Sequence, residues 1–199
     1  MLTQLSTVKS RLAIASVDTQ YDALLTSTVK AVSARFDKET RRTLARTVAV
    51  AQEFAGDDTE ILTICYPIES VTRFELKTNE TDGWIEQTNI QFLIRRACII
   101  SLSQPISFQP SAPYLPPAAR VIYDGGYVLP GTTPATGQTP LPDDLEQAAV
   151  EQVAAWFMNR DKLGLDTIWP HGGTYMNFTP SDLLREVRAV LNKYRRWTP

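Results

Sequence analysis

Residues 47–66 read TVAVAQEFAGDDTEILTICY, and this stretch decides the fold. Val48, Val50 and Phe54 alternate with small or polar residues, and the run over 61–66 is rich in β-branched side chains. Alternation and β-branching favour strands, whereas the residues before this stretch repeat with the period of a helix. The chain is therefore expected to change from helix to sheet at about residue 47.

Upstream of this stretch, two stripes of apolar residues predict two helices. The first covers residues 5–12 and the second covers 21–36. Asp18 or Thr19 is placed to cap the second helix. The spacing from Thr19 to Asp22 also suits a capping box, in which the Asp22 carboxylate accepts from the free N–H groups of the first turn.

Downstream, a series of short extended segments predicts an antiparallel sheet. Residues 71–77 alternate, and residues 84–88 resume an extended pattern after turn residues at Asp82-Gly83, so a hairpin is expected there. Further short strands are expected at 92–94, 97–102 and 119–123.

Prolines are concentrated in one region, since nine of the 13 fall between Pro105 and Pro142. Proline removes a ladder hydrogen bond, so this region is expected to contain loops and edge strands rather than a long central strand. Residues 129–141 are rich in Pro, Thr and Gly and predict an exposed loop. Such a loop is either a solvated connector or a projecting arm that touches a neighbouring molecule.

The last third of the chain returns to the helical period. Pro142 suits the first position of a helix, acidic residues follow it at the positive end of the dipole, and an apolar face runs over 145–157. A second helix is expected to open with a capping box at 179–182 and to bury apolar residues over 183–194.

Together these patterns predict an α+β fold, with N- and C-terminal α-helices packed together and a β-rich antiparallel middle region. At 199 residues, one domain over 1–199 is the default expectation. The helical part is expected over 1–45 and 141–199, and the β-rich insertion over about 46–128, followed by the Pro/Thr/Gly loop at 129–141.

Bulk composition argues against several classes of function. The net charge is only -2, so no global attraction to nucleic acid or acidic membranes is expected. No stretch approaches the roughly 20 apolar residues of a membrane span, and the N-terminus lacks the pattern of a signal peptide. We therefore expect synthesis in the cytoplasm, no membrane partner, and buried, reduced thiols at Cys65 and Cys98.

Residues that could carry catalysis are sparse. His171 is the only histidine, and nucleophilic catalysis normally needs a nucleophile with a positioned base. The Asp-Gly-Gly run at 124–126 does not match a phosphate-binding loop. The aspartate pairs at 57–58 and 143–144 suit a turn and a helix start. The sequence predicts no catalytic site, no metal site and no cofactor.

Local charge is more informative than total charge. Residues 30–46 carry a net +4 and residues 182–196 a net +3. In the terminal helix the basic residues lie opposite the apolar stripe, as expected for a face that docks on an acidic protein or on DNA phosphates. A solvated helix face, with cations at the negative end of the dipole, is the alternative. The candidate partner face comprises Arg185, Arg188, Arg195, Arg196 and Trp197.

Several segments in their order along the chain resemble a known family. They are the helices at 5–14 and 21–35, YPIESV at 66–71, VIYDGGY at 121–127, and LPDDLEQA at 141–148, continuing to 159–160. The pattern resembles the gp6-like family of head-tail connector (adaptor) proteins of tailed bacteriophages. Small members of that family are helical bundles, so the β-rich middle suggests a larger, sheet-elaborated version.

The resemblance implies a structural, non-enzymatic protein of the virion neck, made in the bacterial cytoplasm. It implies a ring of identical copies, typically dodecameric, beneath the portal protein, with a stopper or tail terminator protein on the tail side and transient contact with channel DNA. By this analogy the terminal basic face contacts the portal. A ring also needs side-to-side contacts, and the candidate subunit interface comprises Pro130, Pro134, Trp169, Tyr175 and Phe178.

Two other classes remain open from the residues alone. A monomeric β-rich module that recognises a sugar or a peptide would present stacked, exposed aromatic rings such as Trp84 and Tyr114. An enzyme would need a site that none of the motifs above identifies.

Overall fold

A computed structural model describes residues 1–107, 118–162, 167–168, 176–177 and 182–196. The described residues form α-helices and antiparallel sheets, with the larger sheets in the middle of the chain, which confirms the predicted α+β class with a β-rich middle. The chain divides into two compact units. We call Met1–Thr40 with Leu141–Pro199 the helical unit and Arg41–Pro140 the sheet unit.

The helical unit contains α1 (Leu5–Arg11), α2 (Asp22–Thr40), α3 (Asp143–Met158) and α4 (Arg185–Tyr194). The sheet unit contains β1 (Thr47–Ala55), β2 (Glu60–Leu62), β3 (Ile68–Lys77), β4 (Ile85–Gln87), β5 (Phe92–Arg95), β6 (Ile99–Leu102) and β7 (Ala118–Gly125). Two further strands, β8 (Thr167–Ile168) and β9 (Met176–Asn177), pair with each other in the helical unit.

Helix α3 is central to the helical unit, because it contacts α1, α2 and α4. Its buried side chains include Leu145, Ala149 and Val153, and α2 buries Val29 and Phe36. Within each helix these positions are four or seven residues apart, which is about one or two turns, so each helix places one apolar stripe in the core. Helix α3 begins one residue later than predicted, with Pro142 as its N-cap and the acidic residues in its first turn.

The start of α2 differs from the predicted capping box. The Asp18 carboxylate accepts from the Gln20 backbone N–H at 3.0 Å, a local turn before the helix. The Asp22 carboxylate pairs with Lys9 Nζ at 2.8 Å instead of capping the first turn. Lys9 is buried and also donates to the Ser16 carbonyl at 3.1 Å. A buried ammonium group requires an anionic partner, whereas exposed N–H groups at a helix start can bind water.

Helix α4 begins later than the capping box at 179–182 predicted, and residues 179–181 lie outside the described residues. Leu184 is the N-cap and makes no side-chain capping bond. The buried Gln152 of α3 instead accepts from the Leu184 N–H at 2.9 Å and donates to the Asp182 carbonyl at 3.4 Å. A neighbouring helix therefore supplies the partners that a local cap was expected to supply.

The sheet unit holds a four-stranded sheet in the order β1-β7-β3-β4 and a three-stranded sheet in the order β2-β6-β5. Strand β7 is paired on both sides, antiparallel to β1 and to β3. A strand that is flanked on both sides and buried has little contact with water, which accounts for the run of apolar residues over 121–123.

Side chains from both sheets form one hydrophobic cluster. Its members are Ile61, Cys65, Ile68, Phe74, Ile100, Leu102, Val121 and Tyr123. Each fully buried side chain of this size stabilises the fold by roughly 1.5–3 kcal/mol. Both thiols are free, and Cys65 is buried as predicted, but Cys98 is only partly buried.

The predicted hairpin is confirmed, because β3 and β4 pair antiparallel with Leu76 opposite Ile85. The chain reverses through residues 78–84, where Gly83 takes a φ of 68°. That backbone conformation favours glycine, so the turn signal in the sequence had a direct physical cause.

Candidate interaction surfaces

The VIYDGGY segment at the end of β7 uses its polar groups inside the fold. Tyr123 is 0% exposed. Its hydroxyl accepts from the N–H groups of Ile64 at 3.2 Å and Cys65 at 3.1 Å, and donates to Gln52 Oε1 at 3.1 Å. Burial raises the pKa of Tyr123 to about 12. A hydroxyl that is buried and fully bonded supports the fold and is not placed to act as a catalytic acid.

Asp124 has a structural partner as well. Its carboxylate accepts from the Ala49 N–H at 2.7 Å. Ala49 has a φ of 51° and lies where the register between β1 and β7 shifts. The carboxylate therefore satisfies a backbone group that the bulge leaves without a ladder partner.

The two glycines that follow allow close approach of neighbouring backbone. A Cβ on Gly125 would lie 2.8 Å from the Pro67 carbonyl oxygen. A Cβ on Gly126, which has a φ of 104°, would lie 2.5 Å from the Ala45 carbonyl oxygen. Packing and conformation thus account for the Asp-Gly-Gly run without a phosphate ligand.

The four-stranded sheet also carries a charged cluster around Glu75, which is buried. Arg73 Nε donates to Glu75 at 2.7 Å, and Arg120 Nε donates to the other carboxylate oxygen. Burial alone raises the pKa of Glu75, but the two arginine bonds outweigh it and hold the pKa below its ordinary value. The Arg120 guanidinium stacks over Trp84 at 4.3 Å from the ring centroid, and Lys77 Nζ lies 5.9 Å from it.

This arrangement bears on the sugar-binding or peptide-binding alternative. That alternative needs the Trp84 ring as a stacking platform for a ligand. Arg120 and Lys77 of the same sheet already contact this ring. The second expected platform, Tyr114, lies outside the described residues. The structure therefore offers no specific observation in favour of that alternative.

The basic residues of α4 lie on its exposed side. Arg185 and Arg188 of α4 and Arg195, the C-cap that follows the helix, are exposed, whereas Val187 and Leu191 are buried. The helix is thus two-sided, as its sequence pattern predicted. Its exposed side presents guanidinium groups, which suit bidentate contacts to carboxylates or phosphates.

Arg196 differs from the other members of the predicted partner face. Its backbone N–H donates to the Thr40 carbonyl at 2.8 Å, and its side chain is partly buried. It therefore contributes to the fold of the helical unit. Trp197 lies outside the described residues. We define the α4 basic face as Arg185, Arg188 and Arg195.

Polar contacts anchor both ends of α4. The Tyr194 hydroxyl donates to Asp144 at 2.6 Å, and Lys193 Nζ lies 3.7 Å from the same carboxylate. Just before the helix, the Asp182 carboxylate pairs with Arg35 of α2. A partner would therefore meet a face that is already ordered, which lowers the entropic cost of binding.

The second basic segment, residues 30–46, offers less charge to a partner than its net +4 suggested. Arg35 is paired as described above. Arg46 Nε lies 2.9 and 3.0 Å from the two Glu69 oxygens, and the Arg42 guanidinium stacks on a tyrosine ring at 4.5 Å. Internal partners thus engage three of its cations.

The Pro/Thr/Gly loop is closed at its base. The Val128 N–H donates to the Thr139 carbonyl at 2.9 Å. Near the tip, Gln138 bonds Ala135 twice, by its backbone N–H and by its side-chain oxygen, each at 3.0 Å. Residues 131–137 are exposed, as predicted. These hydrogen bonds give the loop local order, and they are compatible with either a connector or a projecting arm.

The predicted subunit interface is only partly described. Pro134 is exposed on this loop and Pro130 is partly buried at its beginning. Trp169, Tyr175 and Phe178 lie outside the described residues. The described residues therefore do not test this interface, which stays a prediction.

Sequence reasoning did not identify strand β5 as a surface. All four of its residues are exposed, and it is the last strand of its sheet among the described residues. Phe92, Leu93 and Ile94 are 36%, 65% and 40% exposed. Single exposed apolar residues are ordinary, but three in a row on an edge strand mark a contact surface or an aggregation hazard. The signal for such a surface is the run of three apolar residues, FLI, at 92–94, which by its sequence pattern alone predicts only a strand.

A shallow groove of about 260 Å³ lies beside this strand. Val71, Ile90 and Phe92 line its apolar part, and Arg73 and Glu86 are among its polar residues. It is open rather than enclosed, as expected of a contact surface more than of a small-molecule pocket.

Within residues 1–107, 118–162 and 182–196 no three His, Cys, Asp or Glu side chains are grouped to hold a metal ion. His171 lies outside the described residues. No helix in the described part of the chain is both long and apolar enough to cross a bilayer.

No protein-family model matches the chain, and no curated protein matches its sequence. Solved structures do match its fold. A chain in the neck of an empty gene transfer agent (GTA) particle, computed with C6 symmetry, aligns with 98% of this chain and 89% of its own length, at a TM-score of 0.58 and 13% identity.

Two further structures agree with this match. One is the neck of the native GTA particle, computed with C12 symmetry, with a TM-score of 0.52 and 13% identity. The other is the virion of the native particle, with a TM-score of 0.51 and 15% identity. Each covers 98% of this chain and 89% of the matched chain. At these identities the likeness is one of fold, and it extends through both units.

Proposed function

We propose that this protein is a head-tail connector (adaptor) of a tailed bacteriophage or phage-like particle. Copies of the chain would form a ring, dodecameric when assembled, that sits under the portal and links the DNA-filled head to the tail. The observation that carries the proposal is the likeness, over 98% of the chain, to chains in gene transfer agent necks computed with C6 and C12 symmetry. The gp6-like pattern of the sequence supports the same class on separate grounds.

The distribution of polar groups also suits a structural role. Tyr123, Asp124 and Glu75 are each engaged inside the fold. Among the exposed parts of the described chain are three candidate contact surfaces: the α4 basic face, the loop at 131–137 and strand β5. A ring protein works through such surfaces, because each copy must contact two neighbours and the rings above and below. The proposed role involves no reaction and no cofactor.

The partners follow from these surfaces and from the family analogy. We assign the α4 basic face to the portal protein, where it would meet acidic side chains. Transient contact with channel DNA would use the same cations.

The terminal helices would form the connector core. The loop with Pro130 and Pro134 would touch a neighbouring copy, together with Trp169, Tyr175 and Phe178. A stopper or tail terminator protein would bind on the tail side. The mature location would be the virion neck, after synthesis in the bacterial cytoplasm.

The direct test is to mix the protein with the portal protein encoded by the same genome and to image the mixture by electron cryomicroscopy. The expected result is a ring of this protein stacked on one face of the portal ring. Portal rings that carry no added density at saturating protein concentration would contradict the proposal.

A charge reversal tests the assignment of the α4 basic face. Arg185→Glu with Arg188→Glu should weaken portal binding by about tenfold or more, because two attractive contacts become repulsive. Lys30→Glu with Lys38→Glu is the matched control, since both lysines are exposed on α2 of the same unit. Equal loss in both double variants would show a general charge effect and refute the assignment. Truncation after Tyr194 is less clean, because it also removes the Arg196 backbone bond to Thr40.

A further inference from the structure

We propose that neighbouring copies of this chain join edge to edge through their sheet units. The β3–β4 hairpin of one copy, residues 78–87, would lie along strand β5 of the next copy. The inference rests on the proposed ring and names the contact that would build it.

Strand β5 has an open backbone edge. The Ser103 N–H donates to the Gln91 carbonyl at 3.0 Å, and β5 continues antiparallel to β6 from there. In an antiparallel pair alternate residues are bonded, so Leu93 uses its backbone groups toward β6, and those of Phe92 and Ile94 point outward. No described strand covers that side.

The apolar residues of β5 carry no protecting group themselves, although the strand is only four residues long and ends in Arg95. Soluble proteins protect such edges with lysine, proline or a bulge. Residues 92–94 are apolar and pair with β6 in regular register, with no bulge. Leu93 is 65% exposed. An edge of this kind stays soluble most readily when another chain covers it.

The charge next to this edge defines the partner. Arg95 and Arg96 follow the apolar run and are exposed. The contact of Arg95 with Glu60 is 3.5 Å long between side chains that are 59% and 65% exposed, and such pairs contribute little. The complementary surface must therefore be apolar with acidic groups beside it.

The β3–β4 hairpin carries that combination. Ile85 is 49% exposed on β4, which is the last described strand of the four-stranded sheet. Glu86 and Asp82 are exposed on the same hairpin, and so is Glu80, although its carboxylate already pairs with Lys77 at 2.6 Å. Pairing of β5 with β5 of another copy would give the arginines of both copies no acidic partner on the neighbouring β5. Pairing of β5 with the hairpin places opposite charges together and covers both edges.

The geometry of such a contact is head to tail, because it joins two different edges of the same unit. Each copy would use its β5 edge toward one neighbour and its hairpin toward the other. Contacts of this type close into rings when the rotation between copies is a whole fraction of a turn.

Two single variants and their mixture test the inference. Leu93→Lys blocks the β5 edge and Ile85→Lys blocks the hairpin edge. We expect the wild-type protein to form oligomers at high concentration in sedimentation velocity experiments, and each variant alone to sediment as a monomer. A mixture of the two variants should form a one-to-one heterodimer that grows no further, because one intact edge of each kind remains.

Val17→Lys is the control for added surface charge, since Val17 is 86% exposed in the helical unit. It should associate like the wild-type protein. Circular dichroism and thermal unfolding should show all three variants folded. Association of Ile85→Lys with itself, while Leu93→Lys is monomeric, would indicate β5–β5 pairing and overturn the inference. Monomeric behaviour of the mixture would also overturn it.

The same variants added to portal rings separate this inference from the proposed function. If the wild-type protein and both variants form equal rings on the portal, the edge contact is refuted and the connector role stands. If the wild-type protein does not bind the portal, the connector role is refuted, and the heterodimer result still decides the edge contact. If the wild-type protein neither self-associates in solution nor binds portal rings, both the edge contact and the connector role are refuted.

Discussion

The end of β7 and the edge strand β5 belong to the same sheet unit, but their groups are used in different ways. Tyr123 is 0% exposed and its hydroxyl has three hydrogen-bond partners. Strand β5 exposes all of its residues and has an open edge. Buried polar groups with complete hydrogen bonds hold a fold together, whereas uncovered apolar groups are available to another molecule. The comparison predicts that substitutions at the first region change stability and substitutions at the second change association.

The largest effect is expected from Gly126→Ala. The new Cβ would lie 2.5 Å from a carbonyl oxygen at a φ of 104°, so clash and backbone strain add, and unfolding free energy should fall by about 3 kcal/mol or more. Gly137→Ala is the matched control, because its φ of 87° has open space around it, and it should cost only about 1 kcal/mol. Urea unfolding measures both. An equal loss of unfolding free energy in the two variants would show that the close backbone approach at Gly126 does not affect stability.

Tyr123→Phe should have the next largest effect. The change removes the hydroxyl, and with it the acceptor at 3.1 Å from the buried Cys65 N–H and the donor to Gln52 Oε1, whereas the Ile64 N–H keeps Gln52 Oε1 as an acceptor at 3.0 Å. Unfolding free energy should fall by about 1–3 kcal/mol, the usual cost of removing one partner of a buried hydrogen-bonded group. Tyr21→Phe is a suitable control, since Tyr21 is partly exposed. A loss below that of the control would contradict the buried role of Tyr123.

Ionisation of the Tyr123 hydroxyl should make the unfolding free energy depend on pH. Tyr123 has a pKa of about 12 in the fold against 10.0 when unfolded. Because the folded pKa is the higher one, the stabilisation is complete below pH 10.0 and declines as pH rises toward 12. The expected decline is about 2 kcal/mol over that window. The Tyr123→Phe variant should lack this decline in unfolding free energy between pH 10 and 12. If the variant shows the same decline as the wild-type protein, Tyr123 is not its source.

The smallest effect on stability is expected at β5. Leu93→Lys should change unfolding free energy by no more than about 0.5 kcal/mol, because the side chain is mostly in water, although it should abolish self-association as proposed above. Ile100→Lys, on the neighbouring strand and 0% exposed, should prevent folding. A large loss of stability in Leu93→Lys would mean that β5 supports the fold, and the contrast with β7 would fail.

Local patterns in the sequence predicted much of the architecture. The helices, the β-rich middle, the hairpin near Gly83 and the apolar side of α4 all appear in the structure. These features depend on spacing along the chain and on the conformational preference of single residues. The candidate interaction surfaces were harder to predict from the sequence, because a contact surface depends on which residues of the fold cover each side chain.

Three particular differences show where sequence reasoning stopped. Asp22 binds Lys9 instead of capping its own helix. Gln152 of α3 satisfies the backbone before α4, so that helix begins at Arg185. Arg35 and Arg46 are engaged by acidic partners far away in the sequence. Each outcome was set by a partner at long sequence distance, which no local pattern encodes.

The sequence by itself therefore determined which segments are helix or strand and which face of each is apolar, since both follow from periodicity over neighbouring residues. Only the tertiary structure decided which charges are neutralised, which polar groups are buried, and that Phe92, Leu93 and Ile94 stay 36%, 65% and 40% exposed. The physical reason is that burial and pairing depend on distances between residues that are remote in the chain.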